Sequence, residues 1–145
     1  MNNQTYTKSI AIHATPEAVW DALTNVELMP NWMSEKEIRI TTSWKPGSNF
    51  LIEGELSGIP FQNTGMVLDY KPQRAVSYSH LSSLSGLANN VKNYTLLEFV
   101  LTTKDNHTNL EFTAWNFPSD SIYQHFAFYW NVALEMLKKF IEEKK

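Results

Sequence analysis

The spacing of apolar residues changes once along the chain. From Ile38 to Phe117 they fall mostly at every second position, which is typical of antiparallel strands with one buried face. After Pro118 they recur at intervals of three and four, as they do along one face of a helix. The sequence therefore predicts a sheet followed by one long amphipathic helix, residues 120–143. The predicted buried face of this helix consists of Ile122, Phe126, Trp130, Leu134, Leu137 and Ile141.

The N-terminal part of the chain predicts one strand and two short helices. Two isoleucines alternate with other residues within residues 8–13, which indicates a first strand. A helix is expected to begin at Thr15 and Pro16, because threonine is a favoured N-cap and proline fits the first helical position. A further turn of helix is expected around residues 27–29.

Turn residues divide the alternating region into six strands. The predicted strands are residues 38–43, 49–56, 59–70, 75–81, 93–103 and 107–116. Ser57-Gly58 is short enough to close a two-residue hairpin, and such a turn fixes which residues lie opposite each other. We count in the same way from a four-residue loop at 71–74 and from the turn at Asp105-Asn106. The predicted pairs are Phe50 with Gly65, Ile52 with Asn63, Val67 with Tyr78, Gly65 with His80, Asp69 with Val76, and Phe99 with Phe112.

The predicted register separates two kinds of side chain. One face carries most aromatic and aliphatic residues, and the other carries Glu53, Glu55, Glu98 and Glu111. These glutamates therefore indicate a solvated surface rather than a pair of catalytic acids. The same count places Met66, Leu68 and Tyr70 on the solvent face and Asp69 on the inner face.

The fold class follows from the need to cover the apolar face of the sheet. The helix at 120–143 is the long amphipathic element that can cover it. We predict an α+β fold in which a curved antiparallel sheet of about seven strands wraps around the C-terminal helix, with two short helices after the first strand. A chain of 145 residues is expected to form a single domain, residues 1–145.

Composition excludes several classes of partner and chemistry. The net charge is −3 and lysine and arginine form no cluster, so neither nucleic acid nor an anionic membrane is an expected partner. The absence of cysteine excludes disulfides, thiolate nucleophiles and cysteine zinc sites. No export signal or membrane-spanning run is recognisable, so we expect no membrane insertion and a cytoplasmic location. The 8 Phe, 6 Tyr and 5 Trp are more aromatic residues than a small core needs.

Six segments of the chain carry a resemblance to a known family. They are residues 12–24 (Ile-His-Ala-Thr-Pro-Glu-Ala-Val-Trp-Asp-Ala-Leu-Thr), 28–32, 46–50, 65–67, 108–112 and 130–137. In this order they resemble the START-like superfamily, also called SRPBCC or birch-pollen-allergen-like, which has the helix-grip fold. Within it, the chain resembles the domain family named after the activator of heat-shock protein 90 ATPase. The resemblance spans essentially the whole chain.

The resemblance implies a cavity between the curved sheet and the C-terminal helix. Members of the superfamily bind lipids, polyketides, flavonoid-like aromatics or hormones there, and some catalyse cyclisation. Eukaryotic relatives stimulate a chaperone. Many bulky rings between one sheet and one helix also leave gaps, which is how apolar pockets arise. The predicted ligand-binding residues are Trp32, Phe50, Asn63, Tyr78, His80, Phe99, Phe112, Phe126 and Trp130.

Three polar residues are the predicted directional groups of this pocket. Asn63, Tyr78 and His80 fall on the inner face of the predicted sheet, where His80 is either a hydrogen-bonded residue at the cavity edge or a ligand anchor or base. None of the four histidines has metal-ligand spacing, and no nucleophile elbow or phosphate-binding loop is present. The sequence therefore predicts neither a metal nor an organic cofactor.

Three functions remain open at this point. The favoured one is binding of a small hydrophobic or aromatic molecule, with a role in stress response, by a monomer or weak homodimer and without catalysis. The second is a chaperone-associated interaction module, which would use Met66, Leu68 and Tyr70 as an exposed apolar patch. The third is a cyclase or hydrolase that acts on an aromatic or polyketide substrate through His80 and Tyr78.

Overall fold

The predicted α+β helix-grip fold is confirmed by the computed structural model, which describes residues 4–143. Residues 1–3 and 144–145 of the predicted domain lie outside the described residues. In chain order the elements are β1 (Tyr6–Ile12), α1 (Pro16–Thr24), α2 (Pro30–Met33), β2 (Ile38–Thr41), β3 (Asn49–Leu56), β4 (Ile59–Lys71), β5 (Ala75–Ser82), β6 (Thr95–Thr103), β7 (Thr108–Trp115) and α3 (Asp120–Glu143). Two short 3₁₀ turns, Ser83–Ser85 and Val91–Asn93, connect β5 to β6.

The seven strands form one antiparallel sheet in the order β1-β7-β6-β5-β4-β3-β2. Its inner face packs against α3, and the side chains of Leu110 and Phe112 on β7 and of Leu134 and Leu137 on α3 are completely buried between them. None of the helices within residues 4–143 has the length and apolar character needed to cross a membrane. The long helix therefore serves as the second layer of the fold.

The two short helices follow β1, as predicted. The Thr15 hydroxyl accepts a hydrogen bond from the Ala18 backbone N–H at 3.1 Å, which is the N-cap of α1. The second helix begins later than predicted, because Pro30 occupies its first position and residues 26–29 form only a turn.

The predicted register is correct over most of the sheet. Ile52 lies opposite Asn63, Val67 opposite Tyr78, and Phe99 opposite Phe112. Ser57 and Gly58 both have positive φ (52° and 82°), as a tight two-residue hairpin turn requires. On the outer face, the Glu53 carboxylate lies 2.9 Å from the Arg39 guanidinium, and the expected solvated surface accounts for this residue.

The register prediction is wrong at the end of the β4–β5 hairpin. Asp69 lies opposite Ser77 rather than Val76, because a β-bulge adds one residue to β4 between Val67 and Asp69. An extra residue turns every following side chain to the other face. Asp69 is therefore exposed, and Tyr70 points inward, where the Trp20 indole N–H donates to its hydroxyl at 3.3 Å.

Candidate ligand-binding cavity

A cavity of about 590 Å³ lies between the inner face of the sheet and the N-terminal half of α3. This volume falls within the range of roughly 300–1,000 Å³ that is usual for small-molecule sites. The sheet contributes Ile52, Leu56, Phe61, Asn63, Tyr78, His80, Leu81, Ser82, Thr95 and Leu97. Helix α3 contributes Ser121, Ile122, His125, Phe126, Tyr129 and Trp130, strand β2 adds Ile38, and the remaining wall is Met33, Ser34, Leu84, Ser85 and Asn93.

The structure brings five of the nine predicted residues together on the cavity wall. They are Asn63, Tyr78, His80, Phe126 and Trp130. The other four, Trp32, Phe50, Phe99 and Phe112, lie in the core beside the cavity and do not line it. All four are at most 3% exposed, so their rings fill the interior instead of bordering the empty space.

The buried rings form one continuous stack that closes the inner end of the cavity. Phe50 lies parallel to Tyr78 with their ring centroids 4.2 Å apart, and Phe99 contacts Phe112 at 4.9 Å. Phe112 in turn stacks on Trp130 at 4.8 Å. Because Tyr78 and Trp130 belong both to this stack and to the cavity wall, they form the boundary between packed core and open space.

Trp32 is held away from the cavity by a hydrogen bond of its own. Its indole N–H donates to the Ala22 carbonyl at 2.9 Å, and its ring centroid lies 6.2 Å from that of Trp130. The buried indole N–H is thus paired with a carbonyl of α1, and the Trp32 ring packs against Trp130 on the side away from the cavity. Its role in the structure is to position a wall residue.

The sheet side of the wall carries three polar side chains for which residues 4–143 provide no hydrogen-bond partner. The Asn63 side-chain oxygen is buried and unpaired. The Tyr78 hydroxyl and the His80 ring also make no hydrogen bond within residues 4–143, although His80 contacts Phe126 edge to face at 5.4 Å. Buried polar groups are normally paired, so the unpaired Asn63 oxygen marks this wall as a place where a ligand can supply a partner.

Burial fixes the protonation state of these groups. It raises the pKa of Tyr78 well above the usual value, with a smaller effect from Tyr129, so the phenol stays protonated. Burial and the nearby His125 lower the pKa of His80 to about 4, so its ring is neutral at pH 7. Tyr129, whose pKa burial raises to about 12, donates to the Met33 carbonyl at 2.5 Å.

Some wall residues were missed by the sequence analysis. Tyr129 and His125 lie three residues after Phe126 and Ile122, so the helical spacing that predicted the buried face of α3 could have found them. Met33 ends the single turn of α2 and Ser34 follows it, and no spacing in the sequence indicates that they reach the cavity.

The residues described above cluster within a segment that a family model also matches. The model of "Activator of Hsp90 ATPase homolog 1-like protein" matches residues 13–142. The chain belongs to this family. The resemblance to this family that the sequence predicted is thereby confirmed. A search of curated proteins gives no match.

Solved structures agree with this assignment. The solution structure of ChR145 from Cytophaga hutchinsonii has a TM-score of 0.83 and 30% identity, over 99% of this chain and 98% of that one. The Aha1 dimer from Colwellia psychrerythraea has a TM-score of 0.74 and 25% identity, over 96% of each chain. CalU16 from Micromonospora echinospora, at 22% identity and a TM-score of 0.72 over 94% of this chain and 75% of that one, shares the fold.

Proposed function

We propose that this protein binds a small hydrophobic or aromatic molecule in the cavity between the sheet and α3. The observation that carries the proposal is the unpaired Asn63 side chain in an otherwise mostly apolar wall. Leaving a buried polar group unpaired costs about 1–3 kcal/mol, and a bound ligand with a matching group would recover part of it. The neighbouring Tyr78 and His80 offer further directional contacts.

The apolar part of the wall supports an aromatic ligand in particular. Phe126 and Trp130 on α3 present rings to the cavity, and Tyr129 lies between them in sequence. Aromatic groups prefer edge-to-face or offset contacts with such rings, and these contacts contribute about 0.5–1.5 kcal/mol beyond burial. Asn63, Phe126 and Trp130 are the residues we expect to contact the ligand most closely.

A pair of variants on the two faces of α3 tests the proposal. Ile122 lines the cavity, so Ile122→Trp fills part of it, whereas Val132 is 49% exposed and lies outside the cavity. We expect naphthalene-based compounds to raise the melting temperature of the unaltered protein and of Val132→Trp, because a ligand stabilises the state that binds it. Ile122→Trp should lose this shift. No shift in any of the three proteins would contradict the proposal.

A second function, chaperone association, is favoured by one feature of the surface. Met66 and Leu68 on β4 are 45% and 43% exposed on the outer face of the sheet. The family description names an activator of the Hsp90 ATPase, and an exposed apolar pair is one element of a protein contact. Stimulation of a chaperone ATPase that Met66→Ser/Leu68→Ser abolishes would support this function. Tyr70 points inward and is not part of this surface.

Catalysis through His80 and Tyr78 has less support. A histidine with a pKa of about 4 is a weak base at neutral pH, and the raised pKa of Tyr78 keeps its phenol from acting as one. Both groups are better suited to donating or accepting hydrogen bonds in a binding site.

A further inference from the structure

Charged side chains are absent from the cavity wall. Within the described chain, residues 4–143, the wall contains no aspartate, glutamate, lysine or arginine. His80 is neutral at pH 7, and His125 is exposed at the side of the cavity formed by α3. A ligand with a carboxylate or phosphate group would therefore lose its hydration without gaining a lysine or arginine partner on the wall, which is unfavourable.

The hydrogen-bonding groups of the wall fall into two sets. Asn93 donates its side-chain amide to the Ala88 carbonyl at 2.9 Å, and the Ser82 hydroxyl accepts from the Leu84 backbone N–H at 3.1 Å. These groups are satisfied by the protein itself. Asn63, by contrast, has an unpaired buried oxygen.

Three of the polar wall groups, Asn63, Tyr78 and His80, lie on two neighbouring strands. Val67 pairs with Tyr78, and His80 follows Tyr78 by two residues, so the two side chains of β5 point to the same face. Asn63 on β4 is a diagonal neighbour of His80, and such neighbours lie about 7–8 Å apart. Asn63, Tyr78 and His80 are called the polar patch of the sheet here.

The amide of Asn63 can present either of its groups to a ligand. The torsion that turns it is broad, so rotating the amide from the wall toward the cavity costs little. The amide offers one acceptor oxygen and two donor hydrogens. A hydroxyl group both donates and accepts, whereas an ether only accepts and a carboxylate is charged at pH 7.

Resting on the proposed function, we infer that the ligand is an uncharged molecule with a hydroxyl group, and that Asn63 recognises this hydroxyl. Asn63 is then the residue that determines specificity within an otherwise permissive apolar cavity. Fatty acids and other anionic lipids, although apolar enough to enter, are disfavoured because the described wall contains no lysine or arginine.

Three compounds with the same ring system test this inference. They are 2-naphthol, 2-methoxynaphthalene and 2-naphthoate, with dissociation constants measured at pH 7 by fluorescence titration. We expect 2-naphthol to bind about tenfold more tightly than the methoxy compound, which corresponds to one hydrogen bond. The carboxylate should bind more weakly than both.

Two asparagine variants separate recognition by Asn63 from general effects of the substitution. Asn63→Leu keeps the size of the side chain and should abolish the preference for the hydroxyl compound. Asn31→Leu is the control outside the cavity, because the exposed Asn31 amide already donates to the Leu28 carbonyl at 3.1 Å, and it should keep the preference. Asn63→Ala provides the same comparison if the leucine variant folds poorly.

The possible results distinguish this inference from the proposed function. Equal binding of 2-naphthoate and 2-naphthol, or an unchanged hydroxyl preference in both Asn63 variants, would overturn the inference and leave binding of hydrophobic molecules intact. Failure of all three compounds to bind would contradict the proposed function, and the inference with it.

Discussion

At Gly65 the backbones of β4 and β5 lie too close together for a side chain. A Cβ atom at this residue would lie 1.8 Å from the Ser79 carbonyl oxygen, so any side chain forces the backbone of β4 and β5 apart. At Gly54 the nearest atoms are at 3.0 Å and belong to the side chains of Ile38 and Phe61, which can move. The two strand glycines therefore differ in how strictly the structure requires them.

We expect Gly65→Ala to lower the free energy of unfolding by about 2–4 kcal/mol, because a displaced backbone cannot be relieved by side-chain motion. Gly54→Ala should cost less. Urea denaturation of both variants measures the difference. Equal losses in the two variants would show that the close approach to Ser79 is not what requires glycine at position 65.

His80 links stability to pH. Its pKa is about 4 in the folded protein and near 6.5 in the unfolded chain, so the unfolded chain binds the proton more readily between these values. Above pH 6.5 the His80 proton equilibrium does not affect the free energy of unfolding. As the pH falls from 6.5 toward 4, proton binding by the unfolded chain lowers this free energy. With allowance for partial exposure to the cavity, the loss is about 2 kcal/mol.

Replacing His80 with a neutral residue should remove this dependence. We expect the free energy of unfolding of His80→Gln to change less between pH 7 and pH 4 than that of the unaltered protein. An unchanged slope in His80→Gln would mean that other groups cause the acid sensitivity.

At the scale of single residues, the sequence predicted which face of the sheet a side chain lies on. It predicted less well which of the inward-facing side chains line the cavity. The period of two placed Asn63, Tyr78 and His80 on the inner face correctly, because side chains alternate strictly in a regular strand. The same rule could not separate Phe50, which is in the packed core, from residues beside the open space. That difference depends on how far each part of the sheet lies from α3, and no local pattern contains this distance.

At the scale of elements, tight turns determined how well strand pairing could be predicted. The Ser57-Gly58 hairpin has one favourable geometry, so the pairs counted from it are correct. The bulge before Asp69 has no marker in the local sequence. The inward position of Tyr70 is stabilised by residues far away in the sequence, because its ring stacks on Trp44 at 5.7 Å and its hydroxyl accepts a hydrogen bond from Trp20.

Helix α3 has two faces with different contributions to stability. Leu134 is completely buried against the sheet, whereas Val132, two residues earlier, is 49% exposed. We expect Leu134→Ala to lower the free energy of unfolding by about 2–5 kcal/mol and Val132→Ala to change it by less than about 0.5 kcal/mol. Chemical denaturation measures both. Similar losses would indicate that the exposed face has a partner in solution.

At the scale of the whole molecule, the interior is divided into a packed part and an open part. The rings of Phe50, Phe99 and Phe112 belong to the packed part, and Tyr78 and Trp130 lie at its boundary. Asn63 and His80 border the cavity. The fold could be predicted because layers and periods follow from the sequence. The shape of the cavity could not be predicted, because it depends on how all the aromatic rings pack against each other.

This division implies a conflict between stability and binding at Asn63. The side-chain oxygen of Asn63 is buried and unpaired, so it costs free energy that an apolar residue of the same size would not. We therefore expect Asn63→Leu to raise the free energy of unfolding by about 1 kcal/mol without ligand, although it loses the preference for hydroxylated compounds. Asn93→Leu should be destabilising instead, since it breaks the bond to Ala88. Thermal and urea unfolding of the two variants measure these changes. If Asn63→Leu also lowers the free energy of unfolding, Asn63 contributes to packing and the prediction is wrong.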